Sequence, residues 1–214
     1  LTVLDKLASA LDRGDEISNQ ELAREIATTD DMDAVREDVQ ELVDNLTHKD
    51  KNIRSDCIKV LYEIGAIKPE IIDDYVDEFV ALLTHKDNRL VWGAMTALGS
   101  IATHKSREVW QHVDTVMQVT KDGSVITQDW GIRVLAQLVA ADAAYAARVF
   151  PFLIDFLKAC RPKDLPRHAE SVVIAGTTVE RRADLQNTLQ ARESELIASQ
   201  LIRVKRVLRQ LADA

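Results

Sequence analysis

Between residues 31 and 175, apolar positions recur at helical spacing in pairs of segments, and a polar break separates the two members of each pair. The first members are 31–46, 69–84, 106–120 and 142–160; the second are 51–65, 88–103, 125–140 and 165–175. In "DDYVDEFVALLTH" the residues Tyr75, Val76, Phe79, Val80 and Leu83 fall on one stripe, which predicts an amphipathic helix. The second members mix small residues, such as Ala94, Ala97 and Gly99, among larger apolar ones, so neighbouring helices can approach closely. Outside this region, 1–12 and 18–28 predict two short helices broken by "DRGDE", and 179–192 and 199–211 predict two more. The last carries Leu201, Val204, Val207, Leu208 and Leu211 at helical spacing.

The paired segments are copies of one unit. "NLTHKDKNI" at 45–53 returns as "LLTHKDNRL" at 82–90, 37 residues later, and Ile53, Cys57, Leu61 and Ile64 then fall on Leu90, Ala94, Leu98 and Ile101. A looser third copy sets "WGIRVLAQLVA" from Trp130 on "WGAMTALGSIA" from Trp92, 38 residues apart, with three residues added near "GSV". In the repeated phrase, His48-Lys49 and His85-Lys86 stand at helix C-termini, where cations and donors suit exposed carbonyls, and Asp50 and Asp87 are placed to cap the next helix. One helix pair cannot bury its apolar face alone, so pairs at this period stack. The predicted fold is all-α: a right-handed superhelix of about four stacked helix pairs in one domain over 1–214. Residues 1–30 form an N-terminal cap, 31–178 the repeats, and 179–214 a C-terminal cap.

The second members "IRSDCIKVLYEIG", "LVWGAMTALGSIA" and "WGIRVLAQLVA" resemble successive second helices of HEAT-repeat proteins, the armadillo-type α-solenoids, and the resemblance covers about residues 31–175. Departures from the pattern are a unit shorter than is usual and the absence of the proline that often kinks the first helix, Pro69 only opening one. A tetratricopeptide pattern fits less well, since the period and the aromatic and glycine positions differ. The resemblance implies a scaffold or protein-interaction module that presents its inner curve to another protein or peptide and needs no cofactor.

Composition agrees with an all-α chain: 46% of residues are apolar and 29% charged, and seven Gly and four Pro leave little material for a turn-rich β protein. The net charge of −8 is uneven. Residues 1–50 hold five Lys/Arg against fourteen Asp/Glu, whereas 181–214 hold seven against four. An acidic chain repels phosphate backbones, which argues against general nucleic-acid binding. Cys57 and Cys160 lie in helical apolar patterns without CxxC or Cys/His spacing and read as small core residues in a reducing, cytoplasmic compartment. No apolar run is long enough to cross a bilayer, and no charged-then-apolar segment opens the sequence.

Signatures of chemistry are missing: GxxxxGK[ST], GxSxG and HExxH do not occur, and the nearest histidine pair, His104 and His112, is not forced together by its spacing. No catalytic residue, cofactor or metal is therefore expected. Superposed repeats instead give rows on the second helices: Ser55, Trp92 and Trp130; Ile58, Met95 and Arg133; Lys59, Thr96 and Val134; Tyr62, Gly99 and Gln137. Trp92 lies about 200° around the helix from the inward face defined by Leu90, Ala94, Leu98 and Ile101. Trp92 and Trp130, with Tyr62, Met95 and Arg133 nearby, are thus expected to line a groove on the inner curve, with Lys59 and Arg133 suiting an acidic peptide. Packing between repeats is the competing reading of the same aromatics. A second candidate is "CRPKDLPRHAESVV" at 160–173, where Arg161, Lys163, Arg167 and His168 cluster at a helix–helix turn. They would hold a carboxylate or phosphate, or form a rigid turn capped by Asp164.

Two other functions remain open at this point. "VWQHVD" and "WGIR" are faintly similar to active-site helices of alkylpurine DNA glycosylases, which share a HEAT-like fold. That resemblance would make Asp114 the electrostatic or water-orienting carboxylate, Trp110 and Trp130 the stacking walls, and Arg133 a phosphate ligand. The helices are consecutive here, unlike in that family, and the chain is acidic. The third possibility is a structural subunit whose acidic N-terminal face or final helix is buried in a larger complex.

Overall fold

The computed structural model describes residues 2–15 and 17–213. Among them no strand occurs, and the α-helices are α1 (Ile17–Thr28), α2 (Met32–Asp44), α3 (Lys51–Ile67), α4 (Val76–Leu82), α5 (Asn88–Ile101), α6 (Ser106–Gln111), α7 (Val113–Asp122), α8 (Val125–Ala141), α9 (Ala143–Ala159), α10 (Leu165–Val172), α11 (Val179–Gln190) and α12 (Ala198–Asp213). No described helix is long and apolar enough to cross a membrane. The chain divides into two compact units, Leu1–Val109 and Trp110–Ala214.

In the first unit α3 is the central helix, with α1, α2 and α5 packed on it and α4 packed on α5. The aligned positions Cys57, Leu61 and Ile64 in α3 and Leu90, Ala94, Leu98 and Ile101 in α5 have no accessible surface, so the superposition of repeats identifies the core. Gly93 lets α3 and α5 close up, because a Cβ there would lie 2.7 Å from Ile58 Cγ1. In the second unit α8 is central, contacted by α7, α9 and α10, while α12 lies against α10 and α11 and buries Val204, Val207 and Leu211.

The "THKD" turns are built as N-caps with an unforeseen partner. Asp50 accepts the Asn52 N–H at 2.8 Å and Asp87 accepts the Arg89 N–H at 3.0 Å. The histidines do not donate to the preceding carbonyls. Instead, His48 Nδ1 accepts the Asp50 N–H and His85 Nδ1 the Asp87 N–H, each at 3.0 Å. Carbonyl capping falls to Arg54, whose Nη1 donates to His48 O at 2.6 Å and Lys49 O at 3.1 Å.

Several elements differ from the sequence expectation. The helix expected over 69–84 opens with 3₁₀ turns at Pro69–Ile71 and Asp73–Tyr75 before α4, and that over 106–120 breaks at His112 into α6 and α7. Pro69 has no N–H to donate and starts a tight turn at once. A short piece, a longer piece and a second helix therefore follow one another over 69–101 and 106–141, whereas the first segments α2 and α9 are unbroken. A proline does lie inside a first helix after all: Pro151 sits within α9, which continues through it. Of the helix expected over 1–12, the described residues 2–12 form only a 3₁₀ segment, Val3–Lys6, followed by turns, and residue 1 lies outside the described residues. The cause is tertiary: Asn19 Oδ1 takes the Ala8 N–H at 3.0 Å and Asp56 Oδ2 the Ser9 N–H at 2.8 Å. Asn19 and Asp56 are themselves buried and joined at 2.8 Å.

Candidate functional site

Trp92 on α5 and Trp130 on α8 are both half-buried, with part of each indole open to solvent. Each ring carries a guanidinium: Arg89 lies 5.6 Å from the Trp92 ring centre, and Arg133 lies 5.2 Å from that of Trp130. Such pairs arise because residues three apart on a helix share a face, here from opposite sides of the tryptophan. The Tyr62 ring meets Trp92 at 5.7 Å with a 52° tilt.

Three of the expected binding residues are placed otherwise. Met95 has no accessible surface and belongs to the core, and Tyr62 retains only 9% of its exposure. Lys59 is also buried, with its Nζ 2.6 Å from Glu63 Oε1 and 4.9 Å from the Tyr62 ring centre. A helix stacked between neighbours buries two flanks as well as its inward face, so the arc left open is narrower than a single-stripe reading allows. What remains exposed is Arg133 and part of each tryptophan. Arg89 was not among the expected residues, although its position three residues before Trp92 is visible in the sequence.

The 160–173 turn is a different construction. Arg161 binds Asp164 at 2.6 Å, and Arg167 binds the buried Asp129 of α8 at 3.1 Å. Asp164 stands at the N-cap of α10 without a capping hydrogen bond from its carboxylate, which Arg161 holds. His168 is 1% exposed, lies edge-on to Phe156 at 5.1 Å, and has Nδ1 3.5 Å from Asp129 Oδ1 without a hydrogen bond. Burial, with Arg167 and Arg161 adding to it, pushes the His168 imidazole down to about 4. Burial raises the Asp129 carboxyl, opposed by Arg167. The cations expected to hold an anion are therefore mostly spent on internal carboxylates, and a buried neutral histidine is no anion ligand. Lys163 stays exposed.

The residues of the glycosylase resemblance do not form a cradle. Trp110 stacks on Tyr145 at 4.0 Å and 10°, so one face of the ring is covered. Asp114 is exposed and paired with Arg148. Burial raises the Cys57 thiol to about 12 and also raises the partly buried Cys160, opposed there by Arg192, and both cysteines are free. Among the described residues no group of His, Cys, Asp and Glu is placed to hold a metal.

No protein-family model matches the chain, and no curated protein matches it. Solved structures do. The chain is similar to an engineered protein of the Northeast Structural Genomics Consortium, with a TM-score of 0.67 and 18% identity over 100% of this chain and 98% of that one. It is also similar to computationally designed armadillo repeat proteins for modular peptide recognition, with a TM-score of 0.65 and 14% identity over 97% and 98%. A designed armadillo repeat protein in complex with the peptide (KR)4 gives a TM-score of 0.68 and 14% identity over 97% and 99%. At these identities the likeness establishes the fold, an all-α solenoid of armadillo type.

Proposed function

We propose that the chain is a non-enzymatic interaction module that binds another protein or peptide on its second helices, with Trp92 and Trp130 as anchors. The observation that carries this reading is a matched pair of half-open indoles, each with an arginine over its ring, at equivalent positions of two repeats. Aromatic and arginine side chains dominate interface energetics: tryptophan and tyrosine bury much area at little cost in conformational entropy, and arginine adds directed charge-assisted hydrogen bonds. Similarity to designed armadillo proteins for peptide recognition supports a peptide as the ligand class. With Lys59 buried, the acidic preference rests on the exposed Arg133, so the expected peptide sets an acidic group beside an apolar side chain. The free thiols support a reducing, cytoplasmic setting.

The test is selection of a displayed random-peptide library on the intact chain, followed by affinity measurements with Trp92→Ala and Trp130→Ala. Each variant is expected to melt close to wild type and to lose about tenfold or more in affinity for the selected peptides. Peptides that bind both variants as tightly as wild type would sink the proposal. Exposed Val179, Ile197 and Ile202 favour a second reading, in which this end of the chain is covered by another subunit. Ile202→Glu should abolish that assembly and leave peptide affinity unchanged.

A further inference from the structure

A groove of about 750 Å³ runs in the first unit between α2 and the 3₁₀ turns at 69–75. It lies among first-segment helices and is independent of the tryptophan positions on α5 and α8. Met32, Ile71 and Tyr75 give it accessible apolar surface, over a floor in which Val35 and Val39 are buried. Met32 is 42% exposed, whereas the other large apolar residues of its helix, Val35, Val39, Leu42 and Val43, are buried. Tyr75 is fixed by its hydroxyl, which donates to Gln40 Oε1 at 3.2 Å and ties the two walls together.

Five carboxylates surround this apolar strip, those of Glu37, Glu41, Asp44, Glu70 and Asp74, against a single cation, Arg36. Little of the charge is neutralised. Arg36 is drawn to Asp33 at 3.3 Å, and Asp74 pairs with Lys105 at 2.7 Å. Asp44 accepts from the Gln40 amide at 2.7 Å, and Glu41 from the Val3 N–H at 3.3 Å. The surplus is felt nearby: Asp38 is raised by burial and then by Glu41, Glu25 and Glu37, and Tyr75 by burial and then by Glu78, Asp74 and Asp44.

The geometry points to this groove as a docking site for a short Lys- or Arg-rich peptide segment that seats one apolar side chain against Met32 and Ile71 while its cations meet Glu37, Glu41 and Glu70. Charge complementarity selects this occupant. A second copy of the chain would bring the same net charge of −8. A metal ion needs convergent carboxylates, and no such group occurs among the described residues. Acidic groups along an apolar cleft instead match a cationic chain with a hydrophobic anchor.

The experiment is fluorescence anisotropy on the intact chain with three labelled peptides: a lysine-rich one with a central leucine, the same peptide with serine at the centre, and a glutamate-rich one with the leucine. The leucine–lysine peptide should bind, weaken steadily as salt is added, and exceed the serine version by about fivefold; the glutamate peptide should not bind. Glu37→Gln/Glu70→Gln changes two exposed side chains and should weaken binding by about tenfold. Met32→Ser should weaken it by about threefold with less effect on the salt dependence. Trp92→Ala should leave this affinity unchanged, which separates failure here from failure of the second-helix proposal. Absence of binding by the lysine peptide at low salt, equal binding of the serine peptide, or indifference to both groove variants would overturn the inference.

Discussion

The turn from α2 to α3 and the turn from α9 to α10 both carry a histidine, an aspartate and basic side chains, yet their hydrogen bonds run to different places. In the first, His48 accepts the Asp50 N–H and Asp50 accepts the Asn52 N–H, so both bonds close within four residues of sequence. In the second, Arg192 reaches back from beyond α11 to the Leu157 carbonyl at 2.7 Å, Arg167 reaches Asp129 on α8, and His168 is packed against Phe156. A turn that caps itself can be copied, and the same bonds recur at His85 and Asp87. A turn held by distant side chains belongs to one place in the molecule and leaves no repeated phrase.

This contrast orders the expected effects of substitution. Arg192→Ala should be the most damaging, because it removes the charged donor to the Leu157 carbonyl, leaving that oxygen only the weak Cys160 thiol, and leaves Glu195 without its cation; a loss of about 2 kcal/mol in urea unfolding is expected. A loss under about 0.5 kcal/mol would mean the second turn is held as locally as the first.

Next comes the pH dependence of His168. Folding holds its imidazole near 4, while the unfolded chain takes the proton near the ordinary 6.5. Between those values the unfolded state binds more protons, so stability falls as pH drops from about 6.5 towards 4 and is flat above that window, the full loss being at most about 3 kcal/mol. The raised Asp129 carboxyl acts in the opposite sense at the acid end. The difference between wild type and His168→Phe in denaturant melts across this range isolates the histidine, and parallel profiles would contradict its burial as a neutral group.

At the locally built turn the effects are smaller. His85→Phe should cost about 1 kcal/mol through loss of the Nδ1 acceptor, and His85→Asn should restore most of it because a short side-chain carbonyl can accept the same N–H. Smallest of all, Arg161→Ala removes an exposed ion pair and should change stability by no more than about 0.5 kcal/mol. A larger cost would give the 160–173 turn a local framework after all.

The same division explains which features the sequence reveals. Core positions such as Leu61 and Leu98 are legible because they superpose at a fixed interval and stay buried for the same reason. Asp50 and Asp87 are legible as caps because capping is a property of adjacent residues. The short N-terminal 3₁₀ turn is not, since its competing partners, Asn19 and Asp56, come from two other helices. Met95 and Lys59 were misplaced because one helical stripe says nothing of a second buried flank. The acidic bias of residues 1–50 is plain, but the apolar groove it borders appears only when Tyr75 is brought to Gln40, 35 residues away.

The central claim is that Trp92 and Trp130 are anchors for a partner while Trp110, covered by Tyr145, is structural. The chain has three tryptophans, so its indole N–H groups give three assignable peaks in a nitrogen–proton correlation spectrum. On titration with a peptide selected as above, the account predicts that the Trp92 peak, the Trp130 peak or both move and the Trp110 peak stays still. Movement of Trp110 alone, or of none of the three while the peptide binds, would contradict it.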